Sequence, residues 1–213
     1  MDEAPFDRAL IAAAFQQAAE TTWRSVSVAA AARAAGLPLA RARERFPSRA
    51  AILLRFGRHA DQSALTDATA EGTPRDRLFD LLMKRIDALQ AHRAGVLALL
   101  RALPSEPPTA LLLTLATRRS MRWMLDGAGI ASRGLAGELR VKGLVAVWLW
   151  TIRAWRSDES EDLSATMAAL DAALSRVEGV ADRLGWRRRS SEPEPEPPPD
   201  PDAPAAEAPD PAA

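Results

Sequence analysis

The sequence predicts an all-α fold, and three observations carry that prediction. Its 213 residues are rich in Ala, Leu and Arg, contain neither Tyr nor Cys, and are 47% hydrophobic, enough for a sizeable core. No run of Val, Ile and Thr alternates with the period of two that a half-buried strand needs. Apolar residues instead recur at helical spacing between recognisable start and stop signals.

Taken in order, the first helix is expected from about Asp7, read as its N-cap, with Phe6, Leu10, Ala14 and Ala18 on one face. Ser27 caps a second, VAAAARAA, which Gly36 ends as a C′ glycine. Pro38 takes the first position of a third, LARARERF, where a missing amide costs nothing. Pro47 stops that helix and Ser48 caps the next, RAAILLRFGRHADQSAL. Two helices of eight residues across a one-glycine turn make a helix-turn-helix, whose second member fits a major groove about 12 Å wide. Alanines at 29–32, 34 and 35 permit a close crossing, and Val28, Leu37, Ala42 and Phe46 make the small core between the two.

Charge points the same way. The chain is formally neutral, but residues 191–213 hold seven acids and no base, so residues 1–190 carry a net +7. Between Arg33 and Arg58 seven arginines meet one acid, Glu44. That concentration is a footprint for a polyanion, with double-stranded DNA as the expected partner. The opposing reading is a solvated coat, since the chain uses 26 Arg to 2 Lys throughout.

Ser27-Val28, the alanine-rich helix, Ala35-Gly36, then Phe46-Pro47-Ser48-Arg49 and Ala51-Ile52-Leu53 form a pattern over about residues 7–60. It resembles the DNA-binding signature of the TetR family of transcriptional regulators, where a short recognition helix ends in FPSK or a close variant. The resemblance implies an all-α homodimer whose first three helices bind DNA and whose variable C-terminal domain dimerises and takes a small ligand. It also implies DNA-backbone contacts from Ser27 and from Arg49, which stands where the family commonly has Lys.

Successive residues 100° apart put Leu39, Ala42, Arg43 and Phe46 on one side of the third helix and Ala40, Arg41, Glu44 and Arg45 on the other. The second set is expected to face the groove, with Arg41 and Arg45 reading guanine O6 and N7 and Glu44 accepting from cytosine or orienting the arginines. Arg43, in place of the family's usual Tyr, is expected to reach a phosphate.

Five more helices follow. Thr73 and Pro74 open RDRLFDLLMKRIDALQAH, with Leu78, Leu81, Leu82, Ile86 and Leu89 facing inward. AGVLALLRAL, a helix opened by Pro108, GLAGELRVKGLVAVWLWTIRAW and a last helix capped by Asp162 complete the set. The penultimate helix is apolar nearly all round from Leu144 to Ile152, so it needs two covered faces. A homodimer seam of Leu144, Trp148, Ile152 and Trp155 is expected to supply one, the alternative being a monomer with a thicker core. Met121, Trp123, Met124, Trp148 and Trp150 are the candidate walls of a pocket for a small hydrophobic ligand.

The organisation expected is therefore a helix-turn-helix domain over 1–60, a helical ligand-binding and dimerisation domain over 61–186, and an extended, disordered acidic tail over 187–213, where nine prolines and no large apolar side chain leave nothing to fold around. The acidic start MDEAPFDRAL lacks an apolar signal core, and GLVAVWLWTI is half the roughly 20 residues a bilayer span needs, so a cytoplasmic protein with no membrane partner is expected. The chain is read as no enzyme, with no catalytic residues, metal or cofactor. His59 and His92 lie in different predicted helices without a carboxylate pair or serine in a site-like spacing, and there is no phosphate loop.

One alternative of the same fold stays open. WRSDESEDLSATMAALDAAL, with Trp155, Asp158, Ser160, Thr166, Leu170 and Asp171, is similar to a stretch of the ubiquinone-biosynthesis accessory proteins, which bind isoprenoid lipid and no longer act on DNA. Val177, Val180, Leu184 and Trp186, followed by Arg187, Arg188 and Arg189, are the candidate membrane-facing residues of that reading.

Overall fold

A computed structural model describes residues 3–66 and 71–183, with side chains to residue 179. Among the described residues there are nine α-helices, two short 3-10 turns and no strand. No single helix among them is long and apolar enough to cross a bilayer.

Helix α1 (Glu3–Glu20) buries Phe6, Leu10, Ala14 and Ala18, the predicted face, together with Ile11 and Phe15. It starts earlier than expected, so Asp7 is no N-cap. It lies inside the helix as a buried anion. A 3-10 turn at Trp23–Ser25 leads into α2 (Val28–Ala34), where the Ser27 hydroxyl accepts the Ala30 amide at 3.1 Å. Gly36 ends α2 at φ +64°, a conformation other residues enter only with strain, and this lets the Leu37 amide reach back to the Ala32 carbonyl at 2.8 Å. Pro38 stands at the N-cap of α3 (Leu39–Arg45) and not inside it, its carbonyl accepting the Ala42 amide. Ser48 precedes α4 (Arg49–Thr66) and accepts from Ala51.

Thr73 and Asp76 form a reciprocal capping box at α5 (Pro74–Gln90), whose five predicted leucine and isoleucine positions are all buried. Then come α6 (Arg93–Ala102), a 3-10 turn at Leu103–Ser105, α7 (Pro107–Gly127), α8 (Gly134–Ser157) and α9 (Ser164–Arg183). Asp162 accepts the Ser164 amide at 3.1 Å, as a cap for α9. The buried Asp158 joins α8 to α9, accepting from the amide and hydroxyl of both Ser160 and Thr166. Those bonds hold its carboxyl well below the usual range. Asp171, another residue of the same stretch, also joins two helices, pairing with Arg75 of α5 at 2.7 Å.

The described residues up to Val177 form one compact unit, and Glu178–Arg183, the end of α9, fall outside it. The expected boundary at 60/61 falls inside α4, a single helix that packs against α1 as well as α5 and α7. Helix α1 lies mainly on α6, where a Cβ on Gly95 would overlap the Phe15 carbonyl. Phe15 is the hub, with Phe56, Trp23 and His92 at ring distances of 4.6, 5.7 and 5.5 Å. The expected tail, and Leu184, Trp186 and Arg187–Arg189, lie outside the described residues.

Candidate nucleic-acid interface

Helix α3 is seven residues long, and two contacts fix which way it faces. Ala42 and Phe46 are buried, and Asp7 of α1 draws in Arg45. Both Asp7 oxygens accept from Arg45, through Nε and through Nη2 at 2.9 Å, while Glu3 takes Arg45 Nη1 at 2.9 Å. The Asp7 hydrogen bond, against the opposing effect of burial, raises the Arg45 guanidinium above its ordinary value. Arg55 of α4 completes the arrangement: it donates to the Arg45 carbonyl at 3.2 and 3.1 Å and to Asp7 at 3.1 Å, and lies over the Phe46 ring. Arg41 lies over the Phe6 ring at 4.7 Å.

This corrects the expected orientation. Arg41 and Arg45 turn toward α1 because a buried carboxylate and an aromatic ring there attract guanidinium groups. The exposed face is Leu39, Ala40, Arg43 and Glu44. Arg43, expected beside the core, is exposed and makes no ion pair among the described residues. Ala40 and Glu44 are where the helical spacing put them, and Ser27 is exposed with its hydroxyl engaged in the α2 cap.

Arg49, at the start of α4, is not idle at the surface. Its Nη1 donates to the Trp23 carbonyl at 2.8 Å, and its Nη2 meets both carboxylate oxygens of Glu106 at 3.1 Å. Glu106, immediately before α7, is nearly buried and also accepts from Thr109 at 2.8 Å, with Arg24 at 3.9 Å. The side chain expected on a DNA phosphate is therefore held by a carboxylate from the C-terminal part of the chain.

The residues expected to wall a hydrophobic pocket divide between the interior and the surface. Met121 and Met124 are fully buried core residues, while Trp123 and Trp150 are 55% and 50% exposed. Trp148 is buried under Arg85, whose guanidinium sits 5.0 Å from the ring. Arg85 pairs with Asp61 of α4, which accepts from Ser120 of α7 at 2.6 Å, so a polar cluster occupies the space between these helices. Burial lowers the Arg85 pKa to about 10.

The expected dimer seam is likewise turned inward. Trp155 is fully buried with its Nε1 donating to Gln90 at 2.9 Å, Leu144 and Trp148 are buried, and Ile152 is half-buried. The outer face of α8 is Leu135, Leu139, Ala146, Leu149 and Trp150. The histidines take structural places: His92 stacks on Phe15 and meets Phe56 edge-on, and His59 lies 3.9 Å from Asp7. Burial is the main cause lowering both pKa values.

Sequence reasoning did not anticipate Asp7, Arg55 or Glu106. Asp7 carried a signal, an acid beside Phe6 and Leu10 on an otherwise apolar face, which reads as a buried anion awaiting a cation. Glu106 carried none beyond its position between prolines.

No protein-family model matches the chain, and no curated protein matches it. Solved structures do. A TetR transcriptional regulator from Nitrosomonas europaea aligns with a TM-score of 0.66 at 22% identity, over 81% of this chain and 97% of that one. A TetR-family regulator from Streptomyces coelicolor gives 0.59 at 20% identity, over 92% and 94%. One from Rhodococcus sp. RHA1 gives 0.51 at 20%, over 81% and 98%. The chain shares the fold of these regulators along nearly their whole length.

Proposed function

We propose that this chain, built on the fold of TetR-type regulators, is a DNA-binding transcriptional repressor that reads a palindromic operator as a homodimer and is released by a small ligand. The observation that carries the reading is the solvent face of α3. A capped helix-turn-helix presents Leu39, Ala40, Arg43 and Glu44, while Asp7 and Arg55 immobilise the helix behind them. Leu39 and Ala40 suit thymine methyl groups, Arg43 suits guanine O6 and N7, and Glu44 suits a cytosine amino group. Arg41 and Arg45 act as positioning residues. Arg49 and Ser27 flank the helix at its backbone-contacting edge.

Dimerisation follows from the outer face of α8. Leu135, Leu149 and Trp150 are 94%, 61% and 50% exposed, and α9 offers the small residues Ala165, Ala168 and Ala172 alongside. Pairing these faces about a twofold axis buries them in a four-helix bundle and spaces the two α3 helices for half-sites about one DNA turn, or a multiple, apart. The ligand acts by favouring a helix arrangement with a different spacing, which requires unequal affinity for the two states.

The test is competition binding of the purified protein to DNA from its own upstream region, across a salt series. At about 0.15 M salt a specific fragment should outcompete random DNA by about 10³-fold or more. Equal competition by random sequence would overturn the reading.

A further inference from the structure

We propose that a groove between the end of α7, the turn at 128–133 and the first turn of α8 is a binding site for a small oxyanion carried on a planar ring. The groove has a volume of about 490 Å³. Its walls combine four features that a neutral apolar pocket lacks.

Charge is the first. Arg118 and Arg122 both pair with Glu138, and the Arg118 hydrogen bond holds that carboxyl below its usual range. Arg119 and Arg133 also line the groove, are exposed, and have no ion-pair partner among the described residues, leaving Asp126 as the one other acid of the wall. The second feature is the start of α8. Gly134 opens this 24-residue helix at φ +72°, with nothing within 4 Å of where a Cβ would stand. Arg133 at the N-cap supplies no side-chain cap, and no acid occupies the first turn, so the helix's own amides remain for an anion.

Ser132 is the third and most telling feature. It is only 6% exposed and lines the groove, and its hydroxyl makes no hydrogen bond among the described residues. That hydroxyl is reached from the groove and stands as a donor that a ligand oxygen can take. The fourth is Trp123, 55% exposed on the same wall, a flat face for a ring to stack on. The turn is held in shape beforehand. Arg140 donates to the Ala131 carbonyl at 3.0 Å, Arg77 to the Ala128 carbonyl at 3.0 Å, and the Ile130 amide to Leu125 at 2.9 Å. In the bound state the oxyanion accepts from Ser132, the α8 amides and Arg133, and its ring lies on Trp123.

Calorimetric titration of the full chain, without DNA, tests the site with phenyl phosphate, benzoate, inorganic phosphate and benzyl alcohol. One aryl oxyanion should bind per chain, about tenfold or more tighter than either inorganic phosphate or benzyl alcohol. Trp123→Ala should bring phenyl phosphate down to the affinity of inorganic phosphate. Ser132→Ala and Arg133→Ala should each weaken both phosphates about tenfold, and Arg153→Ala, on another part of the surface, should change nothing. Circular dichroism checks that each variant folds. Absence of binding by the unaltered protein up to about 10 mM, or binding indifferent to Trp123, Ser132 and Arg133, would overturn the proposal. Equal affinity for inorganic and phenyl phosphate would overturn its ring-binding half.

Discussion

Replacing Asp7 with Asn tests whether one buried carboxylate holds the recognition helix to α1. Asp7 is 3% exposed and takes three guanidinium hydrogen bonds, two from Arg45 and one from Arg55. Removing one partner of a buried ion pair costs about 3–5 kcal/mol. Here the arginine side chains keep 18% and 25% exposure and can turn partly to water, and Asn retains an acceptor, so the expected loss is about 2–3 kcal/mol. For a chain of this length that lowers Tm by about 4–12 °C. Urea denaturation followed by circular dichroism reads the loss. A double variant with Arg45→Gln should fall short of the summed single effects by about 1 kcal/mol or more. A loss under about 1 kcal/mol with additive behaviour would refute the anchor, and with it the orientation that exposes Arg43.

The other predictions address separate parts of the molecule. Arg43→Ala should leave stability unchanged and cost roughly 1–3 kcal/mol on the specific operator, read by fluorescence anisotropy, whereas Arg45→Ala should lower stability. Glu106→Gln frees Arg49 from its carboxylate, so DNA binding should tighten at low salt and the log–log salt slope steepen by about two units for a dimer; an unchanged slope would show that Arg49 does not meet phosphate. Leu149→Glu should yield folded monomers by sedimentation, while Trp148→Glu should unfold the chain, because that ring lies beneath Arg85 inside the protomer. Because the folded Asp158 pKa is depressed, its stabilisation is present above the ordinary carboxylate value of about 4 and lost as pH falls below it. Asp158→Asn should accordingly lower Tm at neutral pH and flatten the acid limb of a Tm–pH profile.

The helices were legible because their signals are local. Ser27, Gly36, Ser48 and Thr73 act within four residues of themselves, and each does in the structure what its side chain or φ angle dictates. The face of α3 was not legible, because a seven-residue helix with one alanine and one phenylalanine to bury tolerates a rotation of one residue. The contact that decides it comes from Asp7, 38 positions away. Helix α8 posed the same problem in a longer form. An apolar run on all sides carries no phase, so sequence could not say that Trp148 and Trp155 turn inward and Leu149 and Trp150 outward. The pocket residues were illegible for a different reason, since methionine fills a core as readily as it lines a cavity, and the spacing of Met121 and Met124, both fully buried, fits either.

On the proposed function, the exposed face of α3, in a dimer, reads two half-sites. Hydroxyl-radical footprinting of the upstream DNA, with the protein and its Arg43→Ala variant at equal concentration, measures it most directly. Two protected patches are expected on one side of the duplex, separated by about 34 Å or a multiple, both lost in the variant. Protection without that spacing, or a pattern the variant leaves intact, would contradict the proposed function.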